Sequence, residues 1–228
     1  MFTPVYVSAF TPWGVFTGAV SSGATPTPTP ATADASYALD AAGGTNSTQV
    51  YDSIATAWKG AGADTADFSS GYLIADSTSD RCYTVGSDIQ YSDVLTIEFE
   101  YQVNYLYDGN MYPFYYNSGG DYIFYRNYQS SGAGSFKFRA NSGTETGVNF
   151  SNAGFVVDTW IHVYIVVDIT GQDLYVYIDG SLEGSSIDDA NVADMGTLAG
   201  NLYLGYIASG TNQMSVRNFK VYNAVVTP

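Results

Sequence analysis

The segment from Trp160 to Gly184 constrains the fold more than any other part of the chain. Ile161, Val163, Ile165 and Val167 alternate with His162, Tyr164, Val166 and Asp168, and Leu174, Val176 and Ile178 alternate with Tyr175, Tyr177 and Asp179. A two-residue period gives each run one apolar face, the pattern of a half-buried strand rather than a helix. Thr170-Gly171-Gln172-Asp173 and Asp179-Gly180 supply residues that tolerate positive φ. The segment is therefore predicted to be strand, tight turn, strand, tight turn, strand.

Further strands follow from Arg81 onward: Cys82 to Val85, Leu95 to Val103, Met111 to Tyr116, Tyr122 to Tyr128 and Ser135 to Ala140. Residues 41 to 80 are rich in Gly, Ala, Ser, Thr and Asp and predict short edge strands and long loops. One helical turn is expected there, where Val50, Ile54, Ala57 and Trp58 approach helical spacing. Many short strands with glycine-rich turns predict an all-β protein, a two-sheet antiparallel jelly-roll sandwich. Cys82 is the only cysteine, so packing alone must hold the sandwich. Its expected role is that of a small buried hydrophobe rather than a nucleophile partnered by His162.

A tryptophan, a histidine two residues on, an apolar strand, a polar turn and a strand ending Ile178-Asp179-Gly180-Ser181-Leu182 resemble the laminin-G-like branch of the concanavalin A-like lectin/glucanase jelly rolls. Asp93-Val94-Leu95-Thr96-Ile97-Glu98-Phe99, Leu202-Tyr203-Leu204-Gly205 and Val216-Arg217-Asn218-Phe219-Lys220-Val221-Tyr222-Asn223 fit the same pattern in order. Many relatives carry a tryptophan after the position of Phe99, where this chain has Glu100. The resemblance implies a sandwich that binds glycans, proteins or calcium, or serves as a spacer, and implies a structural role for His162.

The laminarinase-type glucanases of that superfamily use strand-borne carboxylates as acid and nucleophile, which directs attention to Glu98 and Glu100. Residues i and i+2 of a strand share a face, about 6.5–7 Å apart at the backbone. Ile97-Glu98-Phe99-Glu100-Tyr101-Gln102-Val103 lacks the third carboxylate of the enzymes' motif, so no catalytic residue is assigned. Tyrosine recurs at 101, 105, 107, 112, 115, 116, 122, 125 and 128, joined by Phe114 and Phe124. Aromatic rings stack on the apolar faces of sugars, but strand alternation forbids Tyr115 and Tyr116 from lining one surface. The loop-flanking Tyr107, Tyr112, Tyr122 and Tyr128, with Asp108, Asn110 and Asp121 as hydrogen-bonding companions, are the candidate ligand site for a glycan or a protein. Asp188, Asp189, Asn191 and Asp194 in one turn, and Asp76, Ser77 and Asp80 in another, are candidate calcium ligands. No spacing matches a calcium loop of the EF-hand type, so the expectation is no cofactor and solvated acidic loops.

Seven basic residues against twenty-two acidic ones give a net charge of −15, which excludes a nucleic-acid partner. The N-terminus is organised differently. Residues 1–33 carry no charge, and Phe2-Thr3-Pro4 recurs as Phe10-Thr11-Pro12. The segment has neither the basic start nor the unbroken apolar core of a secretory signal, and it is too interrupted to span a membrane. Residues 1–24 are expected to be an apolar docking arm in which Phe2, Tyr6, Phe10, Trp13 and Phe16 meet other subunits. Residues 25–33, with Thr25-Pro26-Thr27-Pro28-Thr29-Pro30, form a stiff Thr/Pro linker, and residues 34–228 form the sandwich. An uncharged arm with a Gly/Ser/Thr/Tyr-rich composition resembles phage virion proteins. That likeness implies a non-enzymatic virion structural protein, a capsid or tail decoration oligomeric or lattice-bound at the virion surface and adhering to glycans. The alternative is a carbohydrate-binding or adhesion module at a bacterial surface, and the third reading is a laminarinase-like glycoside hydrolase.

Overall fold

The structure is a computed structural model that describes residues 35–38, 50–54, 56–59, 72–76, 82–85, 93–105, 110–118, 121–128, 133–139, 144–151, 156–187, 189–192, 201–208 and 213–228. Its strands, numbered in chain order among those residues, form two antiparallel sheets. The larger sheet runs β13 (Ser181–Ser186), β12 (Asp173–Ile178), β11 (Trp160–Asp168), β6 (Val94–Tyr105), β15 (Gln213–Tyr222), β1 (Ala35–Ala38), β2 (Val50–Asp52) and β3 (Ala57–Lys59). β4 (Leu73–Ala75) also pairs with β15. The smaller sheet runs β10 (Thr146–Ser151), β9 (Ala133–Arg139), β8 (Asp121–Tyr128), β7 (Asn110–Ser118), β14 (Asn201–Ile207) and β5 (Cys82–Val85). Strands distant in sequence sit side by side, β14 beside β7 and β15 beside β6, as a jelly roll requires.

The alternation read from the sequence decides which side chains enter the core. Ile97, Phe99, Tyr101 and Val103 of β6 and Ile161, Val163, Ile165 and Val167 of β11 are buried. They meet Phe114, Tyr116, Tyr125, Phe136 and Phe138 from the smaller sheet. Phe99 stands edge-on to Tyr125 at 5.3 Å and to Phe114 at 5.8 Å between ring centres. Each fully buried aromatic contributes about 1.5–3 kcal/mol by removal from water. The Tyr101 and Tyr125 hydroxyls lie 3.1 Å apart in a hydrogen bond, so their polar tips enter the core at little cost.

The predicted hairpins are present. Asp179 (φ 48°) and Gly180 (φ 83°) are both left-handed between β12 and β13, the geometry of a type I′ turn. Between β11 and β12, Gln172 takes φ 59° and the Asp168 carboxylate accepts the Gly171 N–H at 2.7 Å. The helical turn expected around Val50 to Trp58 is not formed. Val50–Asp52 and Ala57–Lys59 pair as a short hairpin instead, with Thr56 at φ 50°. In so short a stretch the apolar spacing fits either period, and pairing of β1 with both β15 and β2 satisfies the backbone as strand. β10, which is not among the strands predicted from the sequence, extends the smaller sheet beyond β9. Residues 1–24, residues 25–33, and Ser77 and Asp80 lie outside the described residues.

Candidate functional site

Two irregularities in the smaller sheet build its most distinctive surface. Strict alternation would place Tyr112 and Tyr115 on opposite faces of β7, and likewise Tyr203 and Tyr206 of β14. The register of β7 against β8 shifts between Met111 and Phe114, across Pro113. In β14 Gly205 adopts φ 72°, and a side chain there would meet Leu73 Cδ2 at 2.9 Å and Ala75 Cβ at 3.2 Å. Gly205 thus turns into the core, and the chain leaves it with Tyr206 on the same outer face as Tyr203. The bulged positions are adjacent, because Tyr203 pairs with Tyr115, and Tyr206 with Tyr112.

The result is a continuous aromatic face. Tyr112 lies 5.5 Å from Tyr115, 5.5 Å from Tyr206 and 5.4 Å from Phe124, ring centre to ring centre. Tyr115 stacks on Tyr203 at 6.0 Å and on Tyr206 at 5.4 Å, and Tyr122 stacks on Phe124 at 5.5 Å. Phe124 is almost covered by its neighbours, whereas the tyrosines remain half-buried. Among the described residues no further element is layered over this side. Its margin is basic: the Arg139 guanidinium lies 4.6 Å over the Tyr122 ring and that of Arg126 5.2 Å from Phe124, while Lys137 pairs in register with Phe124. Burial, the Glu145 hydrogen bond and its negative charge push the Tyr122 hydroxyl up to about 12. Burial among like rings raises Tyr115 as well, so these phenols stay protonated donors throughout the neutral range.

Of the predicted ligand residues, Tyr112 and Tyr122 come together on this face. Half-buried Asn110 opens β7 opposite Tyr128, and Asp121 opens β8 opposite Ser118. Tyr107 and Asp108 lie outside the described residues, and for Asp121 and Tyr128 the description ends at the backbone. Tyr115, Phe124, Tyr203 and Tyr206 complete the face. Tyr203 and Tyr206 went unassigned by sequence reasoning, although Gly205 between them and Pro113 between Tyr112 and Tyr115 are the residues that mark bulges.

Glu98 and Glu100 do share the outer face of the larger sheet, each in a web of partners. Glu98 accepts hydrogen bonds from Tyr222, from Tyr164 and Lys220 at 3.3 Å, and lies 3.0 Å from His162 Nε2. Glu100 accepts Arg217 Nη2 at 2.6 Å and Nε at 2.9 Å, together with Asn218. Burial alone would raise both carboxyls. Tyr222, Lys220 and His162 outweigh it at Glu98, and Asn218 and Arg217 at Glu100, so both are held below the ordinary carboxylate value. A glycosidase pair needs one carboxyl raised to act as acid, and neither is. His162 belongs to this outer face, whereas Cys82 lies on β5 at the edge of the other sheet.

Asp189 lies in a loop where its carboxylate accepts Thr146 and Ser186 hydroxyls and the Asn191 N–H and side-chain amide. Burial would raise it, but these bonds hold it low. Asp188 and Asp194 lie outside the described residues, and Asp76 is exposed. Among the described residues no three metal-ligating side chains converge, and no helix is long and apolar enough to cross a membrane.

Two antiparallel sheets enclosing an aromatic core, with side chains presented on both outer faces, define a jelly-roll sandwich of the lectin-like kind. Residues 76–228 match the concanavalin A-like lectin/glucanases superfamily, and the chain belongs to that family. No curated protein matches it in sequence. Among solved structures, the botulinum neurotoxin serotype D binding domain superposes with a TM-score of 0.67 at 12% identity, over 86% of this chain and 48% of that one. The serotype G binding domain gives 0.66 at 12% identity, over 86% and 49%. The serotype D ligand binding domain in complex with N-acetylneuraminic acid gives 0.61 at 10% identity, over 86% and 48%. The chain therefore spans about half the length of these proteins, and the likeness is one of fold.

Proposed function

We propose that the protein is a non-enzymatic adhesion module that binds glycans on the aromatic face of its smaller sheet. The observation that carries this reading is the continuity of Tyr112, Tyr115, Tyr122, Phe124, Tyr203 and Tyr206 on the outer surface of the sheet, where the tyrosines are half-buried. A broad array of rings suits the apolar faces of successive sugars in a chain, and phenol hydroxyls supply hydrogen bonds with little rotamer entropy to lose. Arg126, Lys137 and Arg139 give the face local positive charge on a chain of net charge −15, which favours acidic polysaccharides. Family membership supports a binding role, as does the neurotoxin domain of the same fold in complex with N-acetylneuraminic acid.

The test is calorimetry with a uronate-rich polysaccharide on the native chain and on the double variant Tyr112→Ala, Tyr206→Ala. Loss of two stacking rings is expected to weaken binding by about tenfold or more. Equal affinity in both proteins would overturn the reading, as would no binding to any acidic polysaccharide.

Residues 1–24 are proposed to carry the module on a larger assembly, with display at a virion surface as the leading case. This rests on the charge-free arm with Phe2, Tyr6, Phe10, Trp13 and Phe16. The mass in solution of the full chain, beside a Trp13→Ser, Phe16→Ser variant, tests it: a defined oligomer or lattice lost in the variant is expected. A monomer in both would remove self-assembly from the reading.

A further inference from the structure

The outer face of the larger sheet holds a concavity, on the opposite side of the sandwich from the aromatic face. It is a shallow, open groove of about 320 Å³ lined by Tyr72, Ile74, Asn104, Asp158, Gln213 and Ser215. Antiparallel register brings these residues together, since Ser215 pairs with Gln102 on one side and with Ile74 on the other, and Gln213 lies opposite Tyr105 beside Asn104. We infer that this groove is a binding site for a single neutral sugar residue.

Its floor is held in one orientation. Asn104 accepts the Ser215 hydroxyl at 2.7 Å and donates its amide to Gln102 Oε1 at 3.1 Å and to Asp158 Oδ1 at 3.3 Å. An amide fixed by three partners presents its remaining capacity in a defined direction, as a preorganised site demands. One wall is a tight turn. Asp158 is a non-glycine residue at φ 61°, and its N–H donates to Val103 O at 2.8 Å, which ties the turn to the end of β6. Aspartate tolerates this left-handed conformation in turns, and the bond to Val103 holds the Asp158 backbone in place. The opposite wall is aromatic: Tyr72 stands edge-on to Trp160 at 5.2 Å, and the face of Trp160 is covered by the Arg217 guanidinium at 3.9 Å.

The ligand class follows from the groups left for it. The Gln213 amide and the Tyr72 hydroxyl make no hydrogen bond among the described residues. With the Asp158 carboxylate they offer donors and acceptors spread around one small cavity, while Ile74 and the Tyr72 ring offer apolar contact. A compact molecule with several hydroxyls and one apolar face matches that set. Asp158 disfavours an anion, and among the described residues no basic side chain lines the groove to offset it. The volume is at the lower end of the range for ligand pockets, about 300–1,000 Å³, which fits one ring better than a chain.

This inference shares the glycan class with the proposed function but uses none of the same residues, so either can fail alone. The experiment is a titration of the full, isotope-labelled chain, followed by backbone amide resonances. The probes are glucose, galactose, mannose and N-acetylglucosamine, with glucuronate as the anionic control. At least one neutral sugar is expected to move the resonances of Asn104, Asp158, Gln213 and Ser215, with glucuronate inert there. Gln213→Ala should weaken the response by about tenfold, the loss of one well-placed hydrogen-bonding group, whereas Tyr112→Ala should leave it unchanged. Groove resonances unmoved by all neutral sugars at tens of millimolar would overturn the inference. So would unaltered affinity in a folded Gln213→Ala variant, or an equal response to glucuronate. Shifts confined to Tyr115, Phe124 and Tyr206 would support the aromatic face alone and overturn the groove.

Discussion

Replacing Glu98 by glutamine keeps the size of the side chain and removes its charge, and so tests whether this carboxylate is part of the scaffold. Glu98 is only 6% exposed. Tyr222, Lys220 and His162 converge on it, and the Lys220 side chain is 34% exposed. A hydrogen bond to a charged group contributes about 1.5–3 kcal/mol net, roughly twice a neutral one. Glutamine retains an acceptor but loses the charged part, about 1 kcal/mol at each of these partners, so the expected destabilisation is about 2–4 kcal/mol. For a chain of this size that lowers Tm by roughly 5–15 °C. The pH dependence supplies a second reading. Because the folded carboxyl is held below its ordinary value of 4.5, its contribution is full above that value and is lost as pH falls through the lower folded value. The gap between native protein and variant should therefore be widest near neutrality and close under acid, while Glu100 and Asp189, also held low, keep some acid sensitivity in both. Urea unfolding of the two proteins across the acid range measures this. A variant within about 0.5 kcal/mol of native at neutral pH, typical of plain surface changes, would refute the reasoning. A gap that persists unchanged at low pH would refute it equally.

Three other outcomes are expected. Gly205→Ala should destabilise by about 2–4 kcal/mol, since it forces a side chain into left-handed backbone and against Leu73 and Ala75. The same variant should lose polysaccharide affinity as Tyr206 shifts, which calorimetry would show. Ser135 is 1% exposed and its hydroxyl has no partner among the described residues, so Ser135→Ala should leave stability unchanged or raise it by up to about 1 kcal/mol in denaturant unfolding. Added calcium or a chelator should leave Tm unmoved, because the oxygens of Asp189 are already taken by Thr146, Ser186 and Asn191. A calcium-dependent rise in thermal scans would contradict that.

How much was legible without the fold depends on how local the signal is. Alternation in β6, β11 and β12 and the Asp179-Gly180 turn are properties of consecutive residues, so strands, hairpin and buried faces could be read directly. The shared face of Glu98 and Glu100 follows from the same period. Their partners could not be read, because Tyr222 and Lys220 come from a strand more than a hundred residues away and only β15 lying beside β6 delivers them. The helical spacing around Val50 misled for the complementary reason, since a few apolar residues fit two periods and sheet pairing chose between them.

The aromatic face shows the division most clearly. Sequence alone determined that the region from Tyr101 to Tyr128 is tyrosine-rich, that Tyr115 and Tyr116 must part company, and that Tyr112 and Tyr122 flank loops. Tyr116 is accordingly in the core, and Tyr115 faces out. Tertiary structure decided that Tyr112 and Tyr115, three residues apart, share a face, and that Tyr203 and Tyr206 join them from a strand far along the chain. The physical reason is that a bulge adds one residue to a strand and reverses the alternation beyond it. Whether a proline or a glycine makes such a bulge depends on what packs beneath, here Leu73 and Ala75 against Gly205.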